Sequence, residues 1–247
     1  MKTTTKSTRI VSLVLTVVML FSVICVAGTV SAGAATDKVS LYSSSVLFSK
    51  YAIGHYEVFV QTKDNGSNQK VYIHYNYEKS YAWQDVEATY FTTLNDGSKI
   101  WKATFHSISG IYAIKFVSGG REYWDNNNGR DYNGSDKIGV APVVSERLGY
   151  QYGASNYQIN AVLQNYAYHK NVFVRYTTNG WNSYQDKALN YSHTNANGTE
   201  TWTTYLNLTN MPAHGNFQYA ICYQVNGREY WANNFGENYD EYYYIHR

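Results

Sequence analysis

Cysteine, proline and charge are all scarce in this chain, and each scarcity excludes something. Among 247 residues there are 2 cysteines and 2 prolines, and charged residues make up 15%. Cys25 lies in an apolar N-terminal stretch, which leaves Cys222 alone in the remainder, so neither an intrachain disulfide nor a Cys/His zinc pattern can form there. The apolar run around it, Tyr219 to Tyr223, predicts a buried thiol and not a nucleophile. No second long apolar run follows the first, which excludes a second helical membrane span. A concentrated basic face is missing too. Of 20 basic and 18 acidic residues, three basic ones fall within residues 1–35, leaving 17 against 18 and a net charge of −1 for the rest. Nucleic acid, which requires such a face, is excluded as a partner.

The N-terminal stretch has the composition of a secretory signal. Lys2, Lys6 and Arg9 precede an apolar run from Ile10 to Ala27, and Val30-Ser31-Ala32 or Gly33-Ala34-Ala35 supplies small residues for cleavage. Residues 1–35 are therefore expected to be removed, leaving a secreted or cell-surface protein with no membrane attachment after cleavage; a retained anchor is the alternative, because the apolar run is near the length that spans a bilayer. The remainder suits two domains of about 100 residues.

What the chain has in abundance is tyrosine, 27 residues, and an internal repeat. GGREYWDNNNGRDY at 119–132 returns as NGREYWANNFGENY at 226–239; from Tyr112 and from Tyr219, 12 of 21 positions are identical. A constant offset of 101 relates the copies from Tyr56 and Tyr157 to Trp101 and Trp202, and 107 relates them from Tyr112 onward, so the second copy has six extra residues near Asn210 to Gly215. The copies run from 37 to 135 and from 149 to 246, with 136–148 as a short linker. Within each, apolar residues alternate at period two, as in Val71-Ile73-Tyr75 and Val172-Val174-Tyr176. Asn65-Gly66, Asn179-Gly180, Asn197-Gly198 and Asn226-Gly227 mark turns. Short strands at this spacing predict an all-β chain of two tandem immunoglobulin-like antiparallel β-sandwich modules.

Each copy holds three tryptophans. Trp101 and Trp202 lie in strand-like runs and are assigned to the cores. Trp124 and Trp231 end a strand that leads into an Asn-rich loop. Trp83 and Trp181 fall in another loop, displaced by three positions relative to the flanking Asp85 and Asp186. An aromatic-flanked polar loop repeated this closely reads as a duplicated binding device, with turn formation by the asparagines as the alternative.

The stretches NVFVRYTTNGWNSYQD at 171–186, FQYAICYQVNGREYW at 217–231 and NNFGENY at 233–239 resemble the starch- and glycogen-binding carbohydrate-binding module family 21. The first copy is similar but more divergent. The resemblance implies a principal sugar site of Trp181, Trp231, Asn233 and Asn234 with Tyr239 close by. Trp83, Trp124, Asp125, Asn126, Asn127 and Tyr132 correspond in the first copy. It implies a second site at Tyr168 and Lys170, completed by Tyr191; the first copy has Ser67 opposite Tyr168, which leaves open whether it has one working site or two. Ala113 and Ala220 stand where the family has a further aromatic. Starch, glycogen or malto-oligosaccharides are the implied ligands, with an amylolytic enzyme or a cell-surface component as a further partner. Avidity between the two modules is the expected mode of action.

An enzyme is not expected. Glycoside hydrolysis needs two facing carboxylates, and nothing prefers Asp85 with Glu87, or Asp131 with Asp136, over solvated acids. Residues 125–136 are rich in oxygen ligands yet miss the EF-hand spacing, so neither a metal nor a cofactor is expected. Some members of the family target a cytosolic phosphatase, against which the leader argues. The principal rival is an extracellular adhesin or protein-binding sandwich that uses the same exposed aromatics.

Overall fold

The computed structural model describes residues 37–48, 54–78, 81–108, 110–146, 156–208 and 215–240, all within one compact unit, Ala32–Arg247. The expected leader lies outside these residues, as does nearly all of the six-residue insertion.

The described residues form strands and a single 3-10 turn, Asn234–Gly236. In the N-terminal half the strands are β1 (Val39–Phe48), β2 (Gly54–Thr62), β3 (Lys70–Asn76), β4 (Trp83–Thr93), β5 (Lys99–His106), β6 (Ile111–Ser118) and β7 (Arg121–Asp125). The C-terminal half has β8 (Val143–Glu146), β9 (Asn156–Leu163), β10 (Lys170–Thr177), β11 (Gln185–Ala188), β12 (Asn190–Thr194), β13 (Glu200–Asn207), β14 (Gln218–Val225) and β15 (Arg228–Ala232).

Strand order corresponds between the halves. The first is one continuous sheet, β1-β2-β5-β4-β3-β6-β7, because the long β4 pairs with β3 through its first half and with β5 through its second. In the second half this strand is interrupted at the buried Leu189, so that β11 stays with β10-β14-β15 and β12 joins β13-β9-β8. All pairings are antiparallel, and the period-two pattern sends alternate side chains inward. Val58, Ile73, Ile114 and Phe116 fill one core; Ile159, Val174, Leu206 and Ile221 fill the other. Trp101 is buried, its Nε1 donating to Thr62 Oγ1 at 2.9 Å, while Trp202 is half-buried against the second core.

The β6–β7 and β14–β15 hairpins turn through Gly119-Gly120 and Asn226-Gly227, all four with positive φ. That conformation matches the right-handed strand twist of a two-residue hairpin.

Within the stretch assigned to a linker, 136–148, the described residues 136–146 are held against both halves. Val143–Glu146 is strand β8, paired with β9. The residues before it are pinned on both sides: the Gly139 and Val140 amides donate to the Tyr42 and Leu41 carbonyls, and Gln164 Nε2 donates to the Gly139 carbonyl at 2.5 Å. Ile138, Ala141, Val144 and Val162 form a small third core between the halves.

Candidate functional site

The outward face of the sheet β11-β10-β14-β15 carries an aromatic row around one arginine. Register places Arg175 opposite Asp186 on one side and Ala220 on the other, with Phe173, Cys222 and Trp231 in the adjacent row. Asp186 holds Arg175 through two parallel hydrogen bonds of 2.7 Å and keeps its guanidinium firmly protonated. The guanidinium carbon sits 4.4 Å from the Tyr184 ring centroid and 5.3 Å from that of Trp231. Trp231 meets Phe173 edge-on at 5.7 Å and remains 39% exposed; Tyr184 is 57% exposed. The result is a rigid platform with two aromatic faces flanking a fixed cation.

Cys222 lies beneath this platform, fully buried despite pointing to the outward side. Burial pushes its thiol up to about 12. Because the folded state keeps its proton where an unfolded thiol near 8.5 would lose it, this contribution to stability is full below about pH 8.5 and is lost as pH rises toward 12. A thiol reagent at pH 8 should leave the native protein unlabelled and label it in urea. Trp231→Ala should restore labelling in the folded state; continued protection would show that the indole is not the lid.

The N-terminal half repeats the arrangement with different residues. His74 takes the place of Arg175 and bonds Asp85 through Nδ1 at 2.6 Å; it stacks on Trp83 at 4.8 Å and meets Trp124 edge-on at 5.6 Å. Lys115 also binds Asp85, at 2.5 Å, and lies over the Tyr72 and Trp124 rings. Asp85 feels burial most, which raises its pKa, but the Lys115 and His74 hydrogen bonds together outweigh this and hold it below the usual carboxylate value.

This equivalence corrects the sequence assignment of Trp83. It stands where the second half has Tyr184, not Trp181, and Tyr184 was missed altogether although the constant offset of 101 places it opposite Trp83. Trp181 sits in the β10–β11 loop with φ of 67°, half-buried, its Nε1 donating to Gln218 Oε1 at 2.5 Å. Gln218 begins β14, four residues before Cys222, or ~13 Å along the strand from the level of Trp231.

The Asn-rich loops are also repeated, and the reason is backbone geometry. Asn127, Asn128, Gly129 and Asp131 all have positive φ, as do Asn234, Phe235, Gly236 and Asn238 at the equivalent places. Asn126 and Asn233 each accept, through Oδ1, the amide of the glycine three residues on, at 2.9 and 3.1 Å. Asn127 Nδ2 donates to the Asp131 carbonyl. The asparagines are therefore turn formers first. Asn233 and Asn234 nevertheless line a cleft together with Trp231.

Two further assignments are corrected by burial. Asp125 is completely buried; its carboxylate accepts from the Leu41 amide at 2.9 Å, the Tyr132 hydroxyl at 2.7 Å and the Asn127 amide. It ties β7 to β1 and does not face a ligand. Tyr132 is buried and stacked on Tyr112, whereas Tyr239, stacked on Tyr219 at 5.2 Å, is only half-buried and lines the same cleft as Trp231, Asn233 and Asn234; a two-way backbone bridge holds each tyrosine pair. Asp125→Ala, the residue type found at the equivalent position 232, should cost about 2–4 kcal/mol by stranding two donors. An unchanged urea midpoint would contradict that.

At the second site implied by the sequence, Tyr168 is 91% exposed. Lys170 is not available: its side chain is 2% exposed, and Nζ bonds Glu200 at 2.8 Å and Asn165 at 2.6 Å, while Trp202 Nε1 donates to the same Glu200 oxygen. Tyr191 is exposed and meets Trp202 edge-on, as Tyr90 meets Trp101. Among the described residues no group of three His, Cys, Asp or Glu side chains is placed to hold a metal ion.

Residues 154–241 match the family model for the carbohydrate/starch-binding module (family 21). The matched span contains the whole Arg175–Trp231 platform. The chain is 33% identical over 78 residues to the glycogen-binding subunit 76A of Drosophila melanogaster, covering 31% of this chain and 12% of that protein. It is 34% identical over 80 residues to protein phosphatase 1 regulatory subunit 3B of Danio rerio, covering 31% of this chain and 27% of that one. The likeness is thus to a module within those proteins. Among solved structures, the carbohydrate-binding module of the muscle glycogen-targeting subunit of protein phosphatase 1 aligns with a TM-score of 0.36 at 21% identity, covering 41% of this chain and 75% of that chain.

Proposed function

We propose that this chain is a non-catalytic α-glucan-binding protein that acts through two tandem modules, exported by its leader and working at or beyond the cell surface. The observation that carries the reading is the Tyr184–Arg175–Trp231 platform, which lies within the residues matched by the starch-binding family model.

The chemistry suits a glucose polymer. A pyranose ring presents a face of C–H groups that can cover an indole or phenol, and each such contact is worth roughly 1–3 kcal/mol. Its hydroxyl edges need paired donors and acceptors, which Arg175 with Asp186, or His74 with Asp85, supply beside the aromatic faces. Two separate aromatic rings on either side of a cation suit the curved path of an α-linked chain, whereas a flat β-linked ribbon asks for a continuous flat strip. The second platform, Trp83–His74–Trp124, would engage the same class of ligand. Because the linker is pinned, the two sites form a fixed pair, and bivalent attachment to starch or glycogen would gain avidity without the loss of linker entropy.

Titration with maltoheptaose, read by indole fluorescence, tests this. Saturable change with malto-oligosaccharide, absent with cello-oligosaccharide and reduced in Tyr184→Ala, is expected. No response to either sugar would remove the proposal.

A further inference from the structure

Each half turns its Asn-rich loop toward the other, which creates two clefts from equivalent parts. The 233–236 loop faces β2 and the β4–β5 turn; the 127–133 loop faces β9 and the β12–β13 turn. The first cleft encloses about 420 Å³ and the second about 680 Å³.

Their linings differ at three equivalent positions. In the first cleft Phe235, Phe59 and Phe91 interlock, with ring centroids 4.9, 5.3 and 5.5 Å apart in pairs. At the same places the other set has Asn128, Asn160 and Ser192. The Glu57–Lys102 ion pair of 2.7 Å beside the phenylalanines is likewise replaced, by Gln158 and Thr203. The smaller cleft thus has a wall of aromatic rings, and its larger counterpart has a floor of amides and hydroxyls.

That floor is ordered before any ligand arrives. Asn160 Nδ2 donates to Glu146 Oε2 at 3.1 Å, and Gln158 Nε2 donates to Asn160 Oδ1 at 3.0 Å and Thr203 Oγ1 at 3.3 Å. Glu146 is neutralised by Lys137 at 3.0 Å. A chain of mutually fixed amides and hydroxyls, anchored on the Glu146–Lys137 ion pair, matches the hydroxyl edge of a sugar and keeps the ordering cost of binding low. The volume is within the range of ordinary ligand pockets.

We propose that the cleft floored by Gln158, Asn160 and Thr203, and rimmed by Asn127 and Arg130 of the other half, is a third α-glucan site, assembled by both halves together. It rests on the α-glucan reading, but it can fail alone.

The test is nitrogen-15 NMR of the mature chain with maltoheptaose. Side-chain amide signals of Gln158 and Asn160 report the cleft; tryptophan indole signals report the platforms. Both sets should shift. In Gln158→Glu/Thr203→Lys, which imports the ion pair of the smaller cleft, the shift of the Asn160 amide should need at least tenfold more sugar while the indoles respond as before. Indole shifts with still cleft amides overturn this inference and leave the α-glucan reading intact. Silence from both overturns the two together.

Discussion

Trp231→Ala should weaken adsorption to granular starch by roughly 5- to 100-fold, and adding Trp124→Ala should weaken it by a further factor of the same size, leaving only what the cleft between the halves retains. The single change removes the covered face of one indole, worth roughly 1–3 kcal/mol. It also releases Arg175, whose guanidinium is held between Trp231 and Tyr184. The double change strips both platforms, and the avidity proposed for bivalent attachment is then lost along with the second site. Adsorption isotherms at fixed salt provide the measurement. If the double variant still binds within threefold of the parent, the platforms are not where starch is held.

Phe235→Asn should uncouple the two halves. Phe235 reaches out of its loop to pack on Tyr42 and Phe59, with centroids at 5.4 and 4.9 Å, and it does so with φ of 57°, a costly conformation for a large side chain. Asparagine occupies the equivalent position 128 at φ of 59°. Losing a half-buried, packed phenylalanine costs about 3–4 kcal/mol, the lower part of the range for a core residue, and relief of backbone strain returns about 1 kcal/mol. A net loss of about 2–3 kcal/mol from the inter-half contact should turn one cooperative calorimetric transition into two. A single transition at an unchanged temperature would show that the linker and the third core join the halves without the wedge.

Much of the fold is legible because strand signals are local. Period-two patterns set Val71-Ile73 and Val172-Val174 inward, and Gly-containing turns place the hairpins. The site was legible only in part. Trp124 and Trp231 fall on the outward faces because a strand register obeys the same alternation. Tyr184 was overlooked because an indole in the neighbouring loop drew the alignment three residues aside, whereas only the β10–β11 pairing shows which ring covers Arg175. The burial of Asp125 and Lys170 depends on partners at Leu41 and Glu200, distant in sequence, so residue type alone marked both as surface groups. The repeated asparagines record a demand for positive φ, which a sequence comparison cannot distinguish from a demand for ligand.

The most direct test of the account is adsorption of the chain without residues 1–35 to insoluble starch and to cellulose, with maltoheptaose as competitor. Retention on starch alone, released by the competitor and weakened by Tyr184→Ala as well as by Trp231→Ala, is the expected result. Equal retention on both polysaccharides, or retention that ignores Tyr184 and Trp231, would contradict it and point to a protein partner for the same aromatic face.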